Sequence, residues 1–223
     1  GSAIGGEIVQ LLVKHALAVP MMVNREHRVP RFVSPETLLI VSSYSGNTQE
    51  TISALNDGLA KGAQVLVLTT GGVVSQCAEN KSLPVISLPP GLPPRQALAF
   101  VCIPLLVFFE KNGYVKGYTE TFAEVIETTH HVCAQSAIDV QRDSNEAKKI
   151  AERIEHTYPI IYAPQEYYGA VAARWRGQLE ENAKMLSSHH VIPEMNHNEI
   201  MGWQSFNPLL KHCSAVLLCD KVM

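Results

Sequence analysis

From Thr37 onward, short apolar β-type runs alternate with helical stretches, and this alternation constrains the fold more than any other feature of the chain. The runs Leu38–Val41, Val65–Thr69 and Val85–Leu88 are continuously apolar, as strands covered on both faces require, and a helix from about Thr48 to Lys61 separates the first two. This is the βαβ pattern of a parallel sheet, whose ligands sit in the loops at the strand C-terminal ends. Gly62 stops the first helix, and the loop Pro89-Pro90-Gly91-Leu92-Pro93-Pro94 stops the third strand before a helix that starts near Arg95. The run Ala97–Phe109 is interrupted by Pro104 and bounded by Arg95 and Glu110, short of the ~18 apolar residues of a membrane span, so it predicts a buried helix.

Between about Tyr118 and Glu155 the sequence turns polar and helical, with Asp143, Glu146, Lys148, Lys149, Glu152 and Arg153 on mixed-charge faces, the pattern of a connector. A second α/β unit follows, with strand Tyr158–Tyr162, a helix from about Gln165 to Leu186, a run His189–Ile192 and a strand Ala215–Cys219. The expected architecture is α/β, with residues 1–145 forming a first domain plus connector and 146–223 a second. Each domain has a parallel sheet flanked by helices, and the second is incomplete within the chain, because so short a piece buries little surface alone. At the start, Gly1-Ser2-Ala3-Ile4-Gly5-Gly6 reads as native sequence entered in mid-motif, a loop that runs into the helical pattern Ile8, Leu11, Leu12, His15.

The formal net charge of -3 carries no basic excess, which argues against nucleic acid or a membrane surface as partner and for a small ligand. The five cysteines are an odd number without CxxC spacing and mostly lie in apolar runs, which predicts reduced, buried thiols in a cytoplasmic protein. No basic-then-apolar secretory pattern is present.

After the strand Leu38–Val41 comes Ser42-Ser43-Tyr44-Ser45-Gly46-Asn47-Thr48, where hydroxyls and backbone N–H groups converge at a helix start. The helix dipole favours an anion there, Gly46 permits a tight turn, and Ser43, Ser45 and Thr48 add donors. The loop has no lysine and lacks GxxxxGK[ST] spacing, so a phosphate monoester fits better than a nucleoside triphosphate. By composition alone, a plain helix N-cap with a turn explains the same residues.

This loop and the opening Gly1–Gly6 segment resemble the sugar-phosphate loops of the sugar isomerase (SIS) domain family. More specific are Pro93-Pro94-Arg95, the stretch Arg174–Lys184 (RWRGQLEENAK) and the stretch Pro193–Trp203 (PEMNHNEIMGW), which resemble bifunctional phosphoglucose/phosphomannose isomerases of bacteria and archaea over nearly the whole chain. The resemblance implies an aldose-ketose isomerase acting on a hexose 6-phosphate without a cofactor. It implies phosphate binding by Ser2, Ser43, Ser45 and Thr48 and a carboxylate base at Glu181. It further implies that His197 acts in ring opening from the neighbouring subunit of a homodimer, so that active sites are shared.

The chemistry suits those residue types. One carboxylate can take the proton from C2, hold it and return it to C1 of an enediol, and a neutral imidazole can move protons at the ring oxygen near neutral pH. Arg95, after a rigid proline loop, can face developing charge on enediolate oxygens. Without the resemblance, Glu181 reads as a solvated helix charge, with Glu180 and Lys184 pairing at i, i+4; Glu199, and after it Glu194, compete for the base role. Trp175 and Trp203 read as packing residues. No metal is expected, since HxH, HExxH and Cys/His spacings are missing and the pairs His130-His131 and His189-His190 diverge on a helix or strand. No GxGxxG follows a strand, which argues against a dinucleotide. Members of the resembled family continue past the position of Met223, where they supply a lysine near the sugar and a threonine tied to epimer choice. The competing readings are a sugar-phosphate sensor that keeps the serine loop without chemistry, and an isomerase of the same domain type for another sugar phosphate.

Overall fold

The computed structural model describes residues 2–204 and 207–220. The chain divides into two compact units, residues 1–116 and 117–223. The connector helices therefore cluster with the second unit, whereas the sequence reading drew the boundary after residue 145.

The first unit holds a parallel sheet ordered β1 (Leu38–Ser43), β2 (Gln64–Thr69), β3 (Val85–Ser87), joined by α2 (Gln49–Ala60) and α3 (Gly72–Asn80). β2 is the central strand, and its run Val65–Leu68 is buried, which is why the sequence there lacks alternation. Val41, Leu55, Val65, Val67, Val74 and Ala78 form the core between sheet and helices. Each fully buried Val or Leu of this kind contributes about 1.5–3 kcal/mol.

The expected loop at residues 1–6 is instead helix from Ser2 onward: α1 spans Ser2–Val13 and packs on α4 (Leu98–Lys111). Gly5 makes this approach possible, since a Cβ there would lie 2.7 Å from Val101 Cγ1. Interhelical packing outweighs the low helix propensity of glycine at this position. α4 tolerates Pro104 and buries Val101, Cys102, Leu105, Leu106 and Phe109, so the apolar run is a core helix.

The second unit begins with α5 (Phe122–Gln135), none of whose residues is buried, and α6 (Glu146–Ile154). α6 is capped by buried Asn145, whose side chain accepts from Lys148 N at 3.0 Å, an interaction worth about 1 kcal/mol. Its sheet runs β5 (Ser188–Ile192), β4 (Tyr158–Pro164), β6 (Cys213–Leu217), all parallel. α7 (Gln165–Gln178) lies on β4 and β5 over a small core of Ile161, Ala163 and Ala172, against which Trp175 and Leu179 pack. The helix expected to run to about Leu186 ends earlier, in a π-helical turn Leu179–Ala183 closed by Lys184 in the left-handed region.

All five cysteines are free thiols, but only Cys102 is buried; Cys133, in a helix with no buried residue, and Cys219 are exposed. No helix among the described residues is long and apolar enough to cross a membrane.

Candidate functional site

The serine loop sits where the βαβ pattern puts it, between the C-terminal end of β1 and the start of α2. Ser43 is only 2% exposed; its Oγ accepts from Gly46 N at 3.1 Å and lies 3.2 Å from Thr48 Oγ1. Ser43 thus holds the loop closed from below, while Ser45, Asn47 and Thr48 face solvent. Thr48 is the N-cap residue of α2, but its side chain makes no capping bond, so it does not cover the first amides of the helix. Those amides lack intrahelical partners in any α-helix, and the dipole adds positive potential.

A second loop braces the first. Gly46 has φ +69°, and a Cβ there would lie 1.7 Å from the Gly71 carbonyl oxygen, so the β1–α2 and β2–α3 loops touch where only glycine fits. Gly46 O accepts from Val74 N at 3.0 Å, and Asn47 Oδ1 accepts from Val73 N at 3.1 Å. Ser2, distant in sequence, is brought beside this loop: its Oγ accepts from Tyr44 N at 3.1 Å. Ser2, Ser43, Ser45 and Thr48 are therefore gathered at one end of the first sheet. Arg95 lies half-buried in the 3-10 turn Pro94–Gln96, after the proline loop that follows β3.

In the second unit Glu181 is exposed within the π-helical turn after α7. The expected Glu180–Lys184 pair does not form. Glu180 instead faces Arg176 at 3.7 Å, and Lys184 Nζ donates to the Glu181 carbonyl at 2.7 Å. The wider turn shifts the helical register, which takes Lys184 off the face that i, i+4 spacing assigns to it. Short π-helical insertions of this kind often lie at functional sites.

His197 is exposed at the end of the 3-10 turn Glu194–His197, which follows β5. Glu199, the competing base, is engaged: it accepts from Tyr162 Oη at 2.6 Å and lies 2.9 Å from His190 Nδ1. Trp203 Nε1 also donates to Tyr162 Oη at 2.6 Å, which makes Trp203 a bonding as well as a packing residue. Burial, then the bond to Glu199, pushes the Tyr162 phenol well above the ordinary tyrosine range, so it stays a donor at neutral pH. Glu194 accepts from Asn198 Nδ2 at 3.1 Å. Beside this network an open cavity of about 320 Å³ is lined by Gln165, His189, His190, Glu194, Asn198 and Glu199. Among the described residues, no group of three or more His, Cys, Asp or Glu side chains could hold a metal ion.

Sequence reasoning missed Tyr44, Tyr162 and His190. No spacing rule marks them, because the partners of Tyr44 and Tyr162 lie tens of positions away.

Residues 143–223 match the family described as bacterial phospho-glucose isomerase C-terminal SIS domain. Across 220 residues, 99% of the chain, the sequence is 38% identical to a bifunctional phosphoglucose/phosphomannose isomerase of Caldicellulosiruptor bescii, of which it spans 65%. It is also 30% identical over 92% of its length to a D-glucosamine-6-phosphate 4-epimerase of Sulfolobus acidocaldarius, spanning 62% of that protein. The chain thus covers somewhat less than two thirds of these relatives. In structure it is similar to the C-terminal domain of glucosamine-fructose-6-phosphate aminotransferase from Francisella tularensis, with a TM-score of 0.69 at 16% identity, covering 99% of this chain and 63% of that one. The fold is α/β, with a parallel sheet flanked by helices in each unit, as the strand and helix pattern implied.

Proposed function

We propose that this chain, which is similar to bifunctional phosphoglucose/phosphomannose isomerases and whose own residues 143–223 match the bacterial phospho-glucose isomerase C-terminal SIS domain, forms the catalytic part of an aldose-ketose isomerase. It interconverts glucose 6-phosphate and mannose 6-phosphate with fructose 6-phosphate, in the cytoplasm, as a homodimer with shared active sites. The observation that carries this reading is an anion-ready serine loop in a chain whose similarity to those isomerases extends across 99% of its length.

Ser45, Thr48 and the first amides of α2 hold the phosphate, Ser43 keeps their loop in shape, and Ser2 closes its N-terminal side. His197, supplied by the partner subunit, moves protons between O1 and the ring oxygen to open the sugar. Glu181 then takes the C2 proton, the C2–H electron pair forms the C1–C2 double bond, and the C1–O1 π pair moves onto O1 to give an enediolate. Transfer of the O2 proton to O1 and return of the proton from Glu181 to C1 leave the carbonyl at C2. Arg95 offsets the negative charge on the enediolate oxygens.

A coupled assay of this chain and of the gene product that contains it, offering both epimers in the presence of EDTA, tests the reading. Turnover of fructose 6-phosphate to both aldoses, undiminished by chelator, is expected; activity abolished by EDTA would overturn metal-free catalysis. The similarity to a 4-epimerase favours one other reading, a sugar-phosphate enzyme acting at C4. Analysis of the product separates the two, since a C4 epimer replaces the C2 ketose.

Phosphate contacts are made alike in the ground and transition states, so their loss falls on KM. Thr48→Ala and Ser45→Ala are each expected to raise KM for fructose 6-phosphate by about tenfold or more, with kcat within about twofold, the worth of one charge-assisted hydrogen bond. An unchanged KM in both variants would remove this loop from the phosphate site.

A further inference from the structure

Tyr44 lies in the middle of the serine loop, yet it is only 7% exposed and is held at both ends. Its main chain is pinned by Ser2, as above, and by Thr70, whose N and Oγ1 donate to Tyr44 O at 3.1 and 2.6 Å. Its phenol reaches the proline loop: Oη donates to Pro89 O at 2.7 Å and accepts from Leu92 N at 3.3 Å. That loop has few ways to hold itself. Pro89, Pro90, Pro93 and Pro94 have no N–H, so within residues 89–94 only Gly91 and Leu92 carry amide donors. The Tyr44 hydroxyl takes one of these and closes the loop across three positions. Directly beyond the loop come the turn Pro94–Gln96 with Arg95 and then buried Ala97, the N-cap residue of α4.

We propose that Tyr44 is a positioning residue that fixes Arg95 relative to the phosphate loop, and so sets the spacing between the bound phosphate and the charge developing on the sugar oxygens. The proposal rests on the isomerase reading for its catalytic consequence, though not for the structural link itself. With its main chain tied to α1 and to the end of β2, the ring transmits the position of the β1–α2 loop to Pro89 and Leu92 of the proline loop. Because Tyr44 acts through Arg95 and touches no reacting atom, its hydroxyl should matter to kcat and only while Arg95 is present.

Tyr44→Phe keeps the buried ring and removes the two bonds. In the full chain, amide exchange at Leu92 is expected to accelerate about tenfold, as loss of one hydrogen bond allows. In the enzyme, kcat should fall about tenfold with KM for fructose 6-phosphate within about twofold. In an Arg95→Ala background the same substitution should cost less than about twofold, because interacting positions are not additive. Unchanged Leu92 exchange would overturn the link, and a tenfold loss that persists without Arg95 would overturn the positioning role. A wild-type protein without isomerase turnover would reject the isomerase reading and the catalytic role together, while the exchange result alone still decides the link.

Discussion

Glu181→Gln is expected to lower kcat by about 10² to 10⁴ while leaving KM for hexose 6-phosphate within a few-fold, because the amide keeps the shape of the side chain and cannot accept the C2 proton. The turn that carries residue 181 should survive, since Lys184 binds its carbonyl and not its carboxylate. Glu199 provides the contrast. Its carboxylate is already occupied by Tyr162 and His190, so Glu199→Gln should disturb that network and cost less in kcat than Glu181→Gln. Steady-state turnover of both variants in the gene product that contains this chain decides between the two carboxylates. A Glu181→Gln enzyme that keeps kcat within tenfold of wild type would remove Glu181 from the base role. The same variant tests the shared site. Mixing inactive Glu181→Gln with inactive His197→Ala protein and allowing subunits to exchange should restore part of the activity, since some sites then carry both intact residues. No recovery in verified heterodimers would place both residues in one subunit.

Gly46→Ala should be among the most damaging single changes to stability. A left-handed backbone costs an L-residue about 1–2 kcal/mol, and overpacking costs about 1–3 kcal/mol more, so a loss of about 2–5 kcal/mol is expected. The added methyl would stand 1.7 Å from the Gly71 carbonyl oxygen, which belongs to backbone and cannot swing aside. Gly177→Ala is the control. It lies in α7 with nothing within 4 Å of the new methyl, and alanine there should be neutral or stabilise the chain by up to about 1 kcal/mol. Urea unfolding of the full chain measures both, as a large fall in midpoint for the first and none for the second. Equal midpoints for Gly46→Ala and wild type would mean that the two loops can separate without cost.

What the sequence determined by itself was whatever depends on near neighbours. The apolar runs around Val65–Thr69 and Tyr158–Tyr162 specify parallel strands because burial on both faces leaves no alternation. The serine loop was legible because its closing bonds, Ser43 to Gly46 and Ser43 to Thr48, span three and five positions. Near-neighbour rules also fail where one tertiary demand overrides them. Ser2–Gly6 reads as a glycine loop and is helix, because Gly5 is needed for the approach of α1 to Val101. Glu180 and Lys184 read as a pair until a π-helical turn changes the angle between them. Only the tertiary structure decided that Gly46 meets Gly71, that Ser2 meets Tyr44, that Tyr44 braces Pro89 and Leu92, and that Tyr162 ties up Glu199. These contacts join residues from 25 to 48 positions apart, a separation at which no helical or strand period selects a partner, and the packing of the sheets alone brings them together.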